Sequence, residues 1–121
     1  MFNIPIQCTS LLKFYDVYVE ILNCITKLSK QEKKILSLLL FIHYNNKTNI
    51  DVDNLLLNTE TRKVIQDYLK ISEANLNNLI SSLKRKGIIK NNTILKSLIN
   101  YPNSKDKIFN INFTLILNKN V

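Results

Sequence analysis

The stretch SEANLNNLISSLKRK, residues 72–86, holds the densest set of chemically capable side chains in this 121-residue chain. Leu76, Leu79, Ile80 and Leu83 fall at i, i+3, i+4 and i+7, so a helix here carries one apolar stripe. Glu73, Asn75, Asn77, Asn78, Ser81, Ser82 and Arg85 then take the other face, and Lys84, Arg85 and Lys86 close the segment. The chemistry on offer is hydrogen bonding by amides and hydroxyls, followed by positive charge. No imidazole, thiol or carboxylate pair stands among these residues to activate a serine.

Elsewhere the chain offers little catalytic material. His43 is the single histidine and lies near the end of an apolar helix, where a partly charged imidazole suits the helix dipole. Cys8 and Cys24 with one histidine make no zinc-ligand pattern, and they read as small buried thiols in a reducing compartment. Asp51 and Asp53 read as a turn or cap. There is no glycine-rich phosphate loop and no metal-ligand cluster. The expectation is a non-enzyme with no cofactor.

Charge is placed unevenly. The chain carries a formal net charge of +8. Residues 1–83 hold nine basic and eight acidic side chains, whereas residues 84–121 hold eight basic ones and Asp106 alone. Positive charge gathered into one third of a small domain points to a polyanionic partner. Hydrophobic residues make up 45% and charged residues 21%, an ordinary globular balance that argues against disorder. The longest apolar run, Leu38 to Ile42, is far short of a membrane span. Residues 1–7 lack the marks of a signal peptide, so a cytoplasmic setting is expected.

The elements that must position residues 72–86 follow from spacing and caps. Phe2 to Ile6 alternates and reads as a short extended arm. Leu11 to Ile25 has mostly helical spacing, although Val17, Val19 and Ile21 also alternate, which leaves a strand open for part of it. Ser29-Lys30-Gln31-Glu32 is a capping box. Ile35 to Ile42 after it is apolar on nearly all sides, hence a central core helix or one that also serves a dimer contact. Thr48 to Val52 reads as a short strand or the entry to a helical turn through Leu57. Asn58 or Thr59 caps a helix to about Lys70 with Val64, Ile65, Tyr68 and Leu69 as its apolar face. Ser72 caps the next helix. Gly87, the single glycine, ends it in a left-handed conformation. Ile88 to Lys90, a turn at Asn91-Asn92 and Thr93 to Leu95 form a hairpin. Phe109, Ile111, Phe113, Leu115 and Leu117 alternate with polar neighbours and predict a strong strand with one wet face.

This order resembles the winged helix-turn-helix superfamily. The residues that carry the resemblance run from LSKQEKKILSLLL through TRKVIQDYLKISEANLNNLISSLKRKGII, and it covers about residues 28–117. It implies an α-rich α+β fold: a winged helix-turn-helix domain at 28–121 with a C-terminal β-hairpin wing, preceded by an N-terminal arm and helix at 1–27. It also implies a recognition helix over about 72–86 in the major groove of double-stranded DNA. Glu73, Asn75, Asn77 and Asn78 would face bases, with Ser72, Ser81 and Ser82 near the backbone. An asparagine amide can donate to and accept from an adenine edge together. Hydroxyls and helix N-terminal amides can hold phosphates. Lys84, Arg85 and Lys86 would flank the groove, Lys105 and Lys107 would sit on the wing, and Lys90 would join the DNA-binding set.

The reading is therefore a small DNA-binding protein for transcription regulation, replication initiation or DNA packaging. The short chain and its asparagine, lysine and isoleucine skew are compatible with a phage or mobile element, acting in the host cytoplasm or a virion. Residues 10–26 offer aromatic and aliphatic side chains for a homodimer contact. The alternative is a structural or assembly protein that uses the same scaffold to grip a protein partner.

Overall fold

The computed structural model describes residues 4–46, 52–102, 105 and 107–119, the side chain of Val52 excepted. Four helices form most of it: α1 (Leu11–Thr26), α2 (Lys30–Asn45), α3 (Thr59–Leu69) and α4 (Glu73–Arg85). A two-stranded antiparallel sheet of β1 (Ile89–Lys90) and β2 (Thr93–Ile94) follows α4. Short 3-10 segments cover Val52–Leu57 and Lys96–Leu98. The architecture is helix-rich α+β. Residues 48–51 of the extended piece expected after α2 lie outside the described residues, as do residues 2 and 3 of the expected N-terminal arm. Residues 4–6 of that arm are exposed and form no strand.

Capping sets where the helices begin. The Ser10 hydroxyl accepts from the Lys13 amide at α1, and the Asn58 side chain accepts from the Glu60 and Thr61 amides at α3. At α2 the capping box is complete. The Ser29 hydroxyl accepts from the Glu32 amide, and Glu32 Oε1 accepts from the Ser29 amide at 2.8 Å. The alternation over Val17 to Ile21 does not make a strand, because those residues continue the helical stripe of α1.

The core forms around α2. Ile35, Leu36, Leu38, Leu39, Leu40 and Ile42 are buried, joined by Tyr15, Tyr18 and Val19 of α1, Ile65 of α3, Leu76, Ile80 and Leu83 of α4, and Ile88, Ile89 and Ile94 of the hairpin. All-round apolarity in α2 is thus met within one chain. On α3 only Ile65 of the expected apolar face is buried. Leu69 is half-buried, while Val64 and Tyr68 are about half exposed, Tyr68 lining an open cleft with residues of α1 and α2.

Three residues, Lys70 to Ser72, join α3 to α4. Lys70 takes the left-handed conformation, the Ile71 amide donates to the Gln66 carbonyl, and Ile71 packs on the core. At the far end of α4, Gly87 has φ +76°. Its amide donates to the Lys84 carbonyl and the Ile88 amide to the Leu83 carbonyl, with Leu83 and Ile88 both buried. That is a Schellman closure with its hydrophobic contact. A Cβ at Gly87 would meet nothing within 4 Å, so only backbone conformation is at stake. Gly87→Ala is expected to cost about 1–2 kcal/mol, and Gly87→Asn less, in equilibrium urea unfolding. Equal stability of the alanine variant would contradict the assigned cause.

The hairpin turns at Asn91, φ +61°, a conformation asparagine tolerates. Leu95 extends the pairing by donating to the Ile88 carbonyl at 2.8 Å. The Asn92 carbonyl accepts from the Leu56 amide, which ties the 3-10 segment before α3 to the hairpin tip.

The strand expected over 109–117 is not formed. The segment has no strand partner among the described residues. Alternation alone specifies which side chains share a face; a strand also needs a neighbour for its amides and carbonyls.

Candidate nucleic-acid interface

The polar side of α4 divides into three strips. At 3.6 residues per turn, the centre of the outward face belongs to Ala74, Asn78, Ser81 and Arg85, all exposed. One flank carries Ser82 and Lys86 and turns towards α2. The other carries Glu73, Asn77 and Lys84 and turns towards α3.

The α2 flank is occupied. Glu32 is buried, with 3% of its side chain exposed. Its Oε2 accepts from the Ser82 hydroxyl at 2.7 Å, and its Oε1 accepts from the Lys86 ammonium at 2.7 Å. Burial alone would raise the Glu32 pKa. The Lys86 ammonium, the Ser29 amide and the Ser82 and Ser29 hydrogen bonds outweigh it and hold the carboxyl at about 2. Ser82 and Lys86 therefore clamp α4 to α2. The sequence placed them near the backbone and beside the groove; the structure engages both with a buried anion fifty residues away.

On the α3 flank, the Arg62 guanidinium donates to Asn77 Oδ1 and also reaches the Leu56 carbonyl at 3.4 Å. Arginine has no acceptor, so Asn77 must turn its oxygen inward, and its NH2 is left as the outward donor. One lone pair of Asn77 Oδ1 is thus taken up by Arg62, a half-buried residue of α3. Arg62 sits on a different helix from the asparagines, and nothing in local spacing marks it.

Ser72, Glu73, Asn75, Asn78, Ser81, Lys84, Arg85 and Lys90 are exposed around this face. The Ser72 hydroxyl accepts from the Asn75 amide as the helix cap. Lys90 is the cation carried by the hairpin. Lys105 and Lys107 are not on it. Leu98, Asn100 and Phe109 are held against α1. The Tyr15 hydroxyl donates to the Asn100 carbonyl at 2.9 Å, the Tyr18 hydroxyl to the Leu98 carbonyl at 2.9 Å, and Phe109 meets Phe14 and Tyr18 edge-on. Lys105 and Lys107 are exposed and fall in sequence between Asn100 and Phe109, both of which meet α1. Neighbouring tyrosines and above all burial push the Tyr15 hydroxyl up, so it stays a donor.

The other groups singled out by sequence do not converge. His43 is buried, and its Nδ1 is 2.6 Å from the Tyr101 hydroxyl. Burial lowers its pKa against the pull of Asp53, so the neutral ring is favoured in place of a charged one serving the helix dipole. Stability linked to His43 is present above its unfolded value near 6.5 and is lost as pH falls through the lower folded one. We expect urea midpoints to drop from pH 7 to pH 5 and this drop to shrink in His43→Gln; an unchanged profile would remove His43 as the cause. Cys24 is exposed and Cys8 half-buried, because Cys24 lies on the outer side of α1, so the expected burial of both thiols does not hold. Among the described residues no group of histidine, cysteine and carboxylate side chains could hold a metal ion.

The fold and this surface define a small helix-rich α+β protein in which a three-residue turn joins α3 to α4, and the outward face of α4 is polar and basic. Comparison with protein-family models, with curated proteins and with solved structures finds no match. No helix among the described residues is long and apolar enough to cross a membrane.

Proposed function

We propose that this chain is a winged helix-turn-helix protein that binds double-stranded DNA without catalysing a reaction. In this reading α4 enters the major groove with the β1–β2 hairpin beside it as a short wing. The observation that carries it is the α3–turn–α4 unit, in which Asn78, Ser81, Lys84 and Arg85 are all exposed, as is Lys90 on the hairpin that follows α4. Helix, 3-10 segment, helix, tight turn, helix and hairpin succeed one another in the order of such domains. Amides and hydroxyls at the centre would read base edges, and the cations around them would neutralise phosphate.

The test is binding of random-sequence duplex across a salt series, followed by selection from a randomised duplex pool. Steep loss of affinity with salt, together with an enriched site, supports the reading. Absence of duplex binding at low salt overturns it. The half-exposed Val64 and Tyr68 on α3 favour a protein-assembly role. Salt-insensitive association with a protein, and none with DNA, would favour that role instead.

A further inference from the structure

We propose that residues 112–118 pair as an antiparallel strand with the same residues of a second copy of this chain. This surface is independent of the α4 face. Phe109 and Ile111 are half-buried and pack against the core, whereas Leu115 is 97% and Leu117 83% exposed, with Phe113 and Ile116 also exposed. Phe113, Leu115 and Leu117 share the parity of Phe109 and Ile111. One apolar edge is therefore covered at its root and bare beyond it. No backbone hydrogen bond joins 112–118 to any described residue. The chain's own β1 and β2 are two residues each, too short to supply a partner for seven.

The composition of the segment selects a copy of itself. Residues 108–118 carry no charge, and Lys107 and Lys119 bracket them. An uncharged strand offers an oppositely charged partner nothing, and it does not repel its twin. A two-fold axis at Leu115 sets Leu115 against Leu115, Phe113 against Leu117, Thr114 against Ile116 and Asn112 against Asn118. Every side chain on the odd face is then apolar, and the terminal asparagines can hydrogen-bond each other. An axis at Phe113 would instead oppose Lys107 to Lys119 and pull Phe109 from its ring contacts on α1. Two strands alone are marginal in water. Here the odd face continues onto a groove lined by Tyr18, Leu22, Leu98 and Ile111, which can cover its inner end.

The experiment is sedimentation velocity on the full chain over a concentration series, at low and high salt, for the native sequence and Leu115→Lys. The expected result is a reversible dimer that salt leaves unchanged or tightens, since each copy carries +8. Leu115→Lys should raise its dissociation constant about tenfold or more, with the helical circular dichroism intact. A monomer at every concentration, or a dimer indifferent to Leu115→Lys, overturns the proposal. Register is read with single cysteines in a Cys8→Ser, Cys24→Ser background. Leu115→Cys should form a disulfide-linked dimer on oxidation and Ile116→Cys should not, and the reverse pattern excludes a pair centred at Leu115.

Discussion

Replacing Glu32 with alanine is expected to cost the fold about 3 kcal/mol, the largest loss from any single polar side chain here. The sum has two sources. Loss of the capping box leaves the Ser29 amide without its acceptor, and changes at such caps cost about 0.5–2 kcal/mol. Loss of the carboxylate also strands the Ser82 hydroxyl and the Lys86 ammonium, and hydrogen bonds to a charged group are worth about 1.5–3 kcal/mol each. The total stays below the sum of these ranges because Lys86 is more than a third exposed and can return to water. Glu32→Gln should cost less, since glutamine at the same helical position still completes a capping box. Urea unfolding of both variants checks the order, and equal stabilities would remove the charge from the account.

The same group sets an acid limit. Its pKa is held at about 2 against an ordinary 4.5, so the folded state binds the proton more weakly than the unfolded chain. The stability this supplies is complete above about pH 4.5 and is lost as pH falls towards 2. A shift of that size corresponds to on the order of 3 kcal/mol, which agrees with the truncation estimate. Lys86→Ala should move acid unfolding to higher pH, because it removes the strongest of the groups that favour the carboxylate.

Much of this was legible in the sequence wherever the cause is local. Ser29 and Glu32 are three residues apart, so the capping box could be read from spacing. Gly87 could be read because the residue just past a helix end often turns left-handed, which glycine does without a side-chain clash. The Leu76, Ile80 and Leu83 stripe fixed which side of α4 is buried. What could not be read depends on contacts distant in the chain. Glu32 reaches Ser82 and Lys86, Arg62 reaches Asn77, and the α1 tyrosines reach the carbonyls of Leu98 and Asn100. Periodicity shows that Val64 and Tyr68 share a face with Ile65, but not that both stay half exposed. Alternation over 109–117 likewise shows a face without its partner. In each case the sequence encodes one half of an interaction whose other half is placed by the fold.

The Glu32 clamp sharpens what mutation of the basic cluster should do to DNA binding. Lys84, Arg85 and Lys86 are adjacent in sequence, yet Lys86 spends its charge on Glu32 while Lys84 and Arg85 face outward. Each phosphate contact contributes about 0.9 to the slope of log affinity against log salt. The variant Lys84→Ala, Arg85→Ala, Lys90→Ala should therefore lose about 2.7 from that slope. Between 50 and 200 mM salt the native chain would then weaken about 40-fold more than the variant. Lys86→Ala should leave the slope nearly unchanged and lower stability instead. Asn78→Ala should do neither. It removes an exposed amide at the centre of the face, so it should reduce discrimination between cognate and non-cognate duplex by about 1–3 kcal/mol at a constant slope. Arg62→Ala frees the Asn77 oxygen to accept and should change which base is preferred, with at most a small change in slope. Titrations of these variants against a selected site and a random duplex separate the effects. If Lys86→Ala altered the slope as much as Arg85→Ala, both cations would be on phosphate and the clamp to Glu32 would not persist in the complex.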